Sequence, residues 1–280
     1  EVAPRRFLAV LSGRDRALFH QGSGRLQLAE AVADDKNPLT ARVIVNRVWQ
    51  QHFGRGIVNT PSNFGQLGEK PSHPELLDYL AAEFVEQGWS LKKLHKQILM
   101  SATYGLSAEV VEANQSKDPD NHLFWRANRR RVDAETLRDS LLFASGELDL
   151  STAEKAMKLD DEKNLKRTVY GFISRRKVDS TLALFDFPNP QATSEARMST
   201  LVPPQRLFLM NSPFVAERAA ALGKRLSGTD AEKVAQAYRI LYSREPDGTE
   251  LKLGLQFLAQ GDWVQYARVL LGSNEFLFVN

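Results

Sequence analysis

Cysteine is absent from the 280 residues. The chain therefore has no disulfide framework, no thiolate nucleophile and no attachment point for haem. Long apolar runs are also missing: none approaches the roughly 18 residues of a membrane-crossing helix. Neither sign of charge prevails, since 37 basic and 34 acidic residues leave a formal net charge of +3. That excess is too slight to argue nucleic-acid binding. No glycine-rich phosphate loop and no Gly-x-Ser-x-Gly elbow occurs, which removes the usual signatures of nucleotide and serine-hydrolase chemistry. What is there, 42% apolar and 25% charged residues, is ordinary for a globular chain of one large or two small domains.

Residues 37–104 organise the rest. Asn37-Pro38 is a helix opening, because asparagine caps free N–H groups and proline tolerates the first turn. Ala41, Ile44, Val45, Val48 and Trp49 then recur at helical spacing. Leu39 and Val43 widen that face, so the polar Arg42, Asn46, Arg47 and His52 ride on a deeply buried helix. Buried polar groups need partners, and Asn46 and Arg47 are expected to have them. Gly54-Arg55-Gly56 ends the helix, and a long loop over 57–70 follows. Loops of that length are commonly functional. Ser72 and Glu75 have capping-box spacing before the face Leu76, Leu77, Leu80, Ala81, Phe84 and Val85. Gly88 stops this second helix, and Ser90 caps a third that carries Leu91, Leu94, Ile98 and Leu99.

Elsewhere the signals are more scattered. Residues 25–33 predict a helix with Leu26, Ala29, Val32 and Ala33 inward. Residues 109–120 are polar and read as a surface excursion. Arg126, Arg129, Arg130 and Arg131 beside Trp125 are expected to pair with acidic residues of the helix that opens at Asp133. Residues 168–174, TVYGFIS, are the clearest strand candidate by β-branched and aromatic content, with a partner strand near 198–202. Pro203-Pro204 and Ser212-Pro213 open two more helices, and Thr229 with Glu232 caps the first of a compact C-terminal set. The fold expected is mainly α: a multi-helix orthogonal bundle with one small β element and a C-terminal helical subdomain. Its divisions are a connector at 1–24, a core domain at 25–226 and the subdomain at 227–280.

The motifs NPLxARVxVNRVWQxHFGRG, SHPELLDxLAxEF, GWxLKxLHxxIxxSxTY, DPDNxLxWRxNRRR, DFPNP, STxVPPQxLxLxNSPFV and SNEFLFVN span nearly the whole chain. Through them the sequence resembles a planctomycete-type C-terminal domain of unknown function. That domain follows a c-type cytochrome domain and a second domain of unknown function. The resemblance implies an exported or periplasmic protein whose haem c sits on an upstream domain, with no cofactor in this chain. It also fits the start at Glu1 rather than methionine, as in a piece of a longer precursor. Family members often carry an aspartate where Asn63 stands and a cysteine where Ser194 stands, so the residues here leave only a hydroxyl at the second position. Residues 229–280 further resemble a small helical repeat of bacterial surface proteins, which implies a structural or adhesive role.

Two function classes follow. The leading one is a noncatalytic interaction module that docks on the upstream cytochrome-side domains, or on a glycan or protein ligand, without nucleic acid and without a membrane span. The alternative is a hydrolase or lyase acting on polysaccharide. Its site would lie between the first two core helices and use Asn46, Arg47, His52, His73 and Glu75. Imidazole and carboxylate groups also suit zinc or iron, so His52, His73 and Glu75 form the one metal set to consider, although no His-x-x-x-His spacing supports it.

Overall fold

The computed structural model describes residues 3–161 and 163–279. Among them are fourteen α-helices and one two-stranded sheet, so the fold is mainly α as expected. The chain divides into two compact units, Glu1–Asn128 and Arg129–Asn280.

The first unit holds α1 (Ala9–Ser12), α2 (Arg25–Ala33), α3 (Thr40–Phe53), α4 (Pro74–Glu86), α5 (Leu91–Leu99) and α6 (Glu112–Gln115). Its core is the 3.6-residue faces of three helices pressed together. Val45, Trp49 and Phe53 come from α3, Leu77, Leu80 and Phe84 from α4, and Leu94 and Ile98 from α5. Trp49 stacks on Phe53 at 4.2 Å and meets Phe124 edge-on at 5.4 Å.

Helix α3 starts at Thr40, later than the Asn-Pro pair suggests. Asn37 instead joins two helices: its amide donates to Val32 O at 3.1 Å, and its Oδ1 accepts from Leu39 N at 3.1 Å. Helix α2 forms where predicted, but none of its residues is buried, which corrects the inward face assigned to Leu26, Ala29, Val32 and Ala33. Leu26 and Leu28 lie two positions apart, on opposite sides of a 3.6-residue turn, so this short helix has no single face to bury.

The second unit contains β1 (Arg130–Arg131), α7 (Ala134–Ser145), α8 (Ser180–Leu184), α9 (Pro203–Asn211), α10 (Pro213–Arg225), α11 (Asp230–Tyr242), α12 (Gly248–Leu258), α13 (Trp263–Leu271), α14 (Asn274–Leu277) and β2 (Phe278–Val279). Helix α10 lies at its centre against both α7 and α13, with Val215, Ala219 and Leu222 fully enclosed. Leu137 and Leu141 of α7, Leu209 of α9, Val234 of α11 and Leu271 of α13 share that core.

The β element is not where composition placed it. Thr168–Tyr170 is a 3-10 turn, and residues 198–202 form no strand. Thr168 finds its partners in a side chain instead: Asp139 Oδ1 accepts from both its backbone N–H (2.7 Å) and its hydroxyl (2.6 Å). The sheet joins β1 antiparallel to β2, with Arg130 opposite Val279 and Arg131 opposite Phe278. This pairing of the unit's first residues with the end of the chain is long-range, and local propensity does not report it.

The helix caps were legible. Ser90 caps α5, and Thr229 with Glu232 forms a full capping box on α11. At α4 the expected box is missing: His73 occupies the cap position without a side-chain bond, and Ser72 Oγ turns to Ile57 O at 3.3 Å.

Candidate functional site

In the first unit the polar residues of α3 meet the loop that follows it. Asn46 is fully buried. Its amide donates to Val58 O at 2.9 Å, and its Oδ1 accepts from Val58 N at 2.8 Å. The side chain thus pairs both backbone polar groups of one residue, as a neighbouring strand would. That lets Ile57 and Val58, each 2% exposed, enter the core without a secondary-structure partner of their own. A side chain at Gly56 could not share this space, because its Cβ would lie 2.5 Å from Val58 O and 2.8 Å from both Asn46 amide atoms.

The loop then closes on itself. Thr60 Oγ1 donates to Asn63 O at 2.9 Å and accepts from Glu69 N at 3.0 Å. Asn63 Oδ1 accepts from Gly65 N at 3.0 Å, and Ser72 N returns to Ile57 O at 2.9 Å.

Arg47 is exposed, which corrects the expectation that it is buried with partners. The apolar stripe of α3 is narrower than Leu39 and Val43 suggested, and both of those residues are only half-buried. Arg47→Ala is accordingly expected to change the unfolding free energy by no more than about 0.5 kcal/mol. A denaturant titration checks this, and a loss above about 2 kcal/mol would restore a structural role.

His52, at the last turn of α3, has a partner that sequence spacing did not reveal. Its Nε2 lies 2.7 Å from Nδ1 of His95 on α5, with the rings edge to face. Such a contact needs one nitrogen with a proton and one without; adding a proton to both would set two donors against each other. Tyr104 packs edge-on to His52 at 5.7 Å.

Tyr104, Phe53 and Phe124 continue as a row of rings to His73, which lies 5.9 Å from Phe124 and whose Nδ1 is 3.0 Å from Ser72 Oγ. The two predicted histidines therefore flank an aromatic row, each with its own neighbour. Glu75 is exposed in the first turn of α4. Among the described residues, no three His, Cys, Asp or Glu side chains come together as a metal-holding group. His95 and Tyr104 had one available signal: both belong to the GWxLKxLHxxIxxSxTY motif.

The Asp-Pro-Asp-Asn stretch builds the end of this unit. Asp118 accepts from the N–H groups of His122 and Leu123 at 2.9 and 2.8 Å, and these bonds lower its pKa against the opposing effect of desolvation. Asn121 is fully enclosed and ties Arg126 O to Asn128, while Asn128 reaches Phe53 O at 3.0 Å. These residues hold a loop in shape.

In the second unit the side chains of Arg131, Arg138 and Arg218 are almost fully buried. Arg131 was expected to pair with the helix after it. It pairs with Asp186 of the Asp-Phe-Pro-Asn-Pro turn at 2.6 Å, while Glu135 of that helix takes a two-pronged bond from Arg197, 2.7 Å on each arm. The chain between these partners is long, and no local pattern reports the choice. Asp186 also accepts from Thr200 N and Oγ1 at 2.9 and 2.8 Å. Arg138 on α7 donates to Lys166 O (2.9 Å), Thr168 Oγ1 (3.2 Å) and Asn164 O. Burial pulls its pKa below the ordinary arginine value, with Asp139 opposing. Ser194 is exposed and donates to Ala196 O at 2.6 Å.

No curated protein and no solved structure matches this chain. Residues 24–258 match a family described as a protein of unknown function. The matched span takes in helices α3, α4 and α5 of the first unit together with α7, α10 and α11 of the second. On that match the chain belongs to the PSD1 family, DUF1553.

Proposed function

We propose that this chain is a noncatalytic docking module of a larger exported, cytochrome-associated protein, and that it seats on the cytochrome-side domains upstream of it. The observation that carries this reading is the uncovered apolar surface of the first unit's opening segment. Leu8, Val10, Leu26, Leu28 and Val32 are between 44% and 87% exposed, and neither α1 nor α2 has a buried residue. Leu67, in the loop over 57–70, is 93% exposed. A segment with this many exposed apolar side chains offers more for a partner to cover than a single exposed leucine does. Covering them would contribute several kcal/mol at roughly 25 cal/mol per Å² before ordering costs. The haem belongs to the upstream domain in this reading, and the small-repeat resemblance of residues 229–280 suits a structural role.

The polysaccharide hydrolase or lyase reading would place Asn46, Arg47, His52, His73 and Glu75 around one cleft. Asn46 is already committed to the Val58 peptide, and aromatic rings occupy the row from His52 to His73. Neither feature favours that chemistry.

Removing residues 1–22 and replacing Leu26, Leu28, Val32 and Leu67 with serine separates docking surface from core. The shortened chain is expected to keep its melting temperature within about 2 °C. Its affinity for the upstream part of the same precursor is expected to fall at least about tenfold. Unfolding of the shortened chain, or binding that is undiminished, would overturn the reading.

A further inference from the structure

We propose that the second unit binds an aliphatic carboxylate in a cleft beside the start of α9. The cleft encloses about 630 Å³, within the range of roughly 300–1,000 Å³ typical of small-molecule sites. Leu201, Val202, Pro203, Leu207, Leu209 and Leu277 contribute to its lining. Leu201 and Leu207 are 71% and 54% exposed, so an apolar wall faces solvent.

Two cations line this otherwise apolar space. The Arg131 side chain is only 5% exposed and is held by Asp186 and by the Phe185 ring, 5.2 Å from its guanidinium carbon. Its Nε is buried and has no hydrogen-bond partner among the described residues. That nitrogen is sealed from the cleft, so Arg131 contributes to it as a nearby positive charge and not as a donor. Arg206 donates to Gly272 O and Asn274 Oδ1, both at 2.9 Å. These acceptors are neutral, and Arg206 makes no ion pair among the described residues. Among the described residues, the carboxylate paired with Arg131 is that of Asp186, which already takes the guanidinium and both donors of Thr200. The lining thus keeps a positive excess that an anionic head group would answer.

The rest of the lining selects the body of the ligand. Gln205 is occupied, with Nε2 on Leu184 O at 3.0 Å and Oε1 accepting from Val202 N at 3.4 Å, and Asn274 is engaged by Arg206. A peptide would bring amide groups for which the walls have no partners. An aliphatic chain brings none. This site belongs to the second unit alone and does not depend on the docking surface proposed for the first unit.

The test is titration calorimetry with octanoate below its micelle concentration, and with octanol as the uncharged control. Arg131→Met would strip Asp186 of its cation and disturb the fold, so the variants are the exposed Arg206→Gln and Leu207→Asp, with melting curves run alongside. Octanoate is expected to bind at least about tenfold more tightly than octanol. Each variant is expected to weaken octanoate by about tenfold or more without lowering the melting temperature. Absence of octanoate binding, equal affinity for octanol, or variants that bind as the parent does would each overturn the proposal.

Discussion

Replacing Asn46 with alanine is expected to lower the unfolding free energy by about 2–4 kcal/mol, because it strands two buried backbone groups at once. Val58 is 2% exposed, so water has no access to the backbone groups that the Asn46 amide now serves. The variant loses two hydrogen bonds, of 2.9 and 2.8 Å, and leaves both backbone polar groups of Val58 unpaired in the core. Asn46→Leu should be no milder, since it fills the volume and still offers neither donor nor acceptor. Denaturant titration should show a lower midpoint at unchanged slope. A midpoint equal to that of the parent would mean that the loop over 57–70 is not held by this residue. The corresponding change at Arg47, one position along the same helix, is expected to be nearly silent. The contrast between neighbours is therefore a sharper test than either variant alone.

The second large effect is expected at Arg138. The residue is 5% exposed, and its guanidinium donates to the carbonyls of Lys166 and Asn164 and to the Thr168 hydroxyl. It thus gathers the turn at residues 164–168 onto α7, with the Phe214 ring 5.7 Å from its guanidinium carbon. Arg138→Met removes every donor and keeps the apolar stem, so the loss isolates the polar part. About 3–5 kcal/mol is expected, since hydrogen bonds to charged groups exceed neutral ones and three acceptors, two of them buried, lose their partner. Arg138→Lys should recover little, because an ammonium cannot span the same acceptors as a planar fork. A loss of less than about 1 kcal/mol in Arg138→Met would show that the turn is held by Asp139 alone, through its two bonds to Thr168.

Much of this molecule follows from local pattern. The faces of α3, α4 and α5, the stops at Gly54 and Gly88, the cap at Ser90 and the box at Thr229 and Glu232 need only near neighbours in sequence. Helical period and capping act within a few residues, and a sequence displays them directly. The same reasoning misjudged residues 168–174, where β-branched side chains met an aspartate and not a strand. It also put Arg47 inside, because apolar residues flank it, although the face it occupies turns outward.

The long-range choices were made by tertiary structure. Nothing near His52 in sequence names His95 as its neighbour, and nothing near Arg131 names Asp186 over the closer Glu135. The single sheet pairs residues 130–131 with 278–279 for the same reason. Such partners are set by which helices pack together, and packing depends on shape summed over whole faces, which no single window of sequence contains. By itself the sequence determined the helices, their caps and the absence of thiol chemistry. The folded chain decided which polar groups were spent on holding loops.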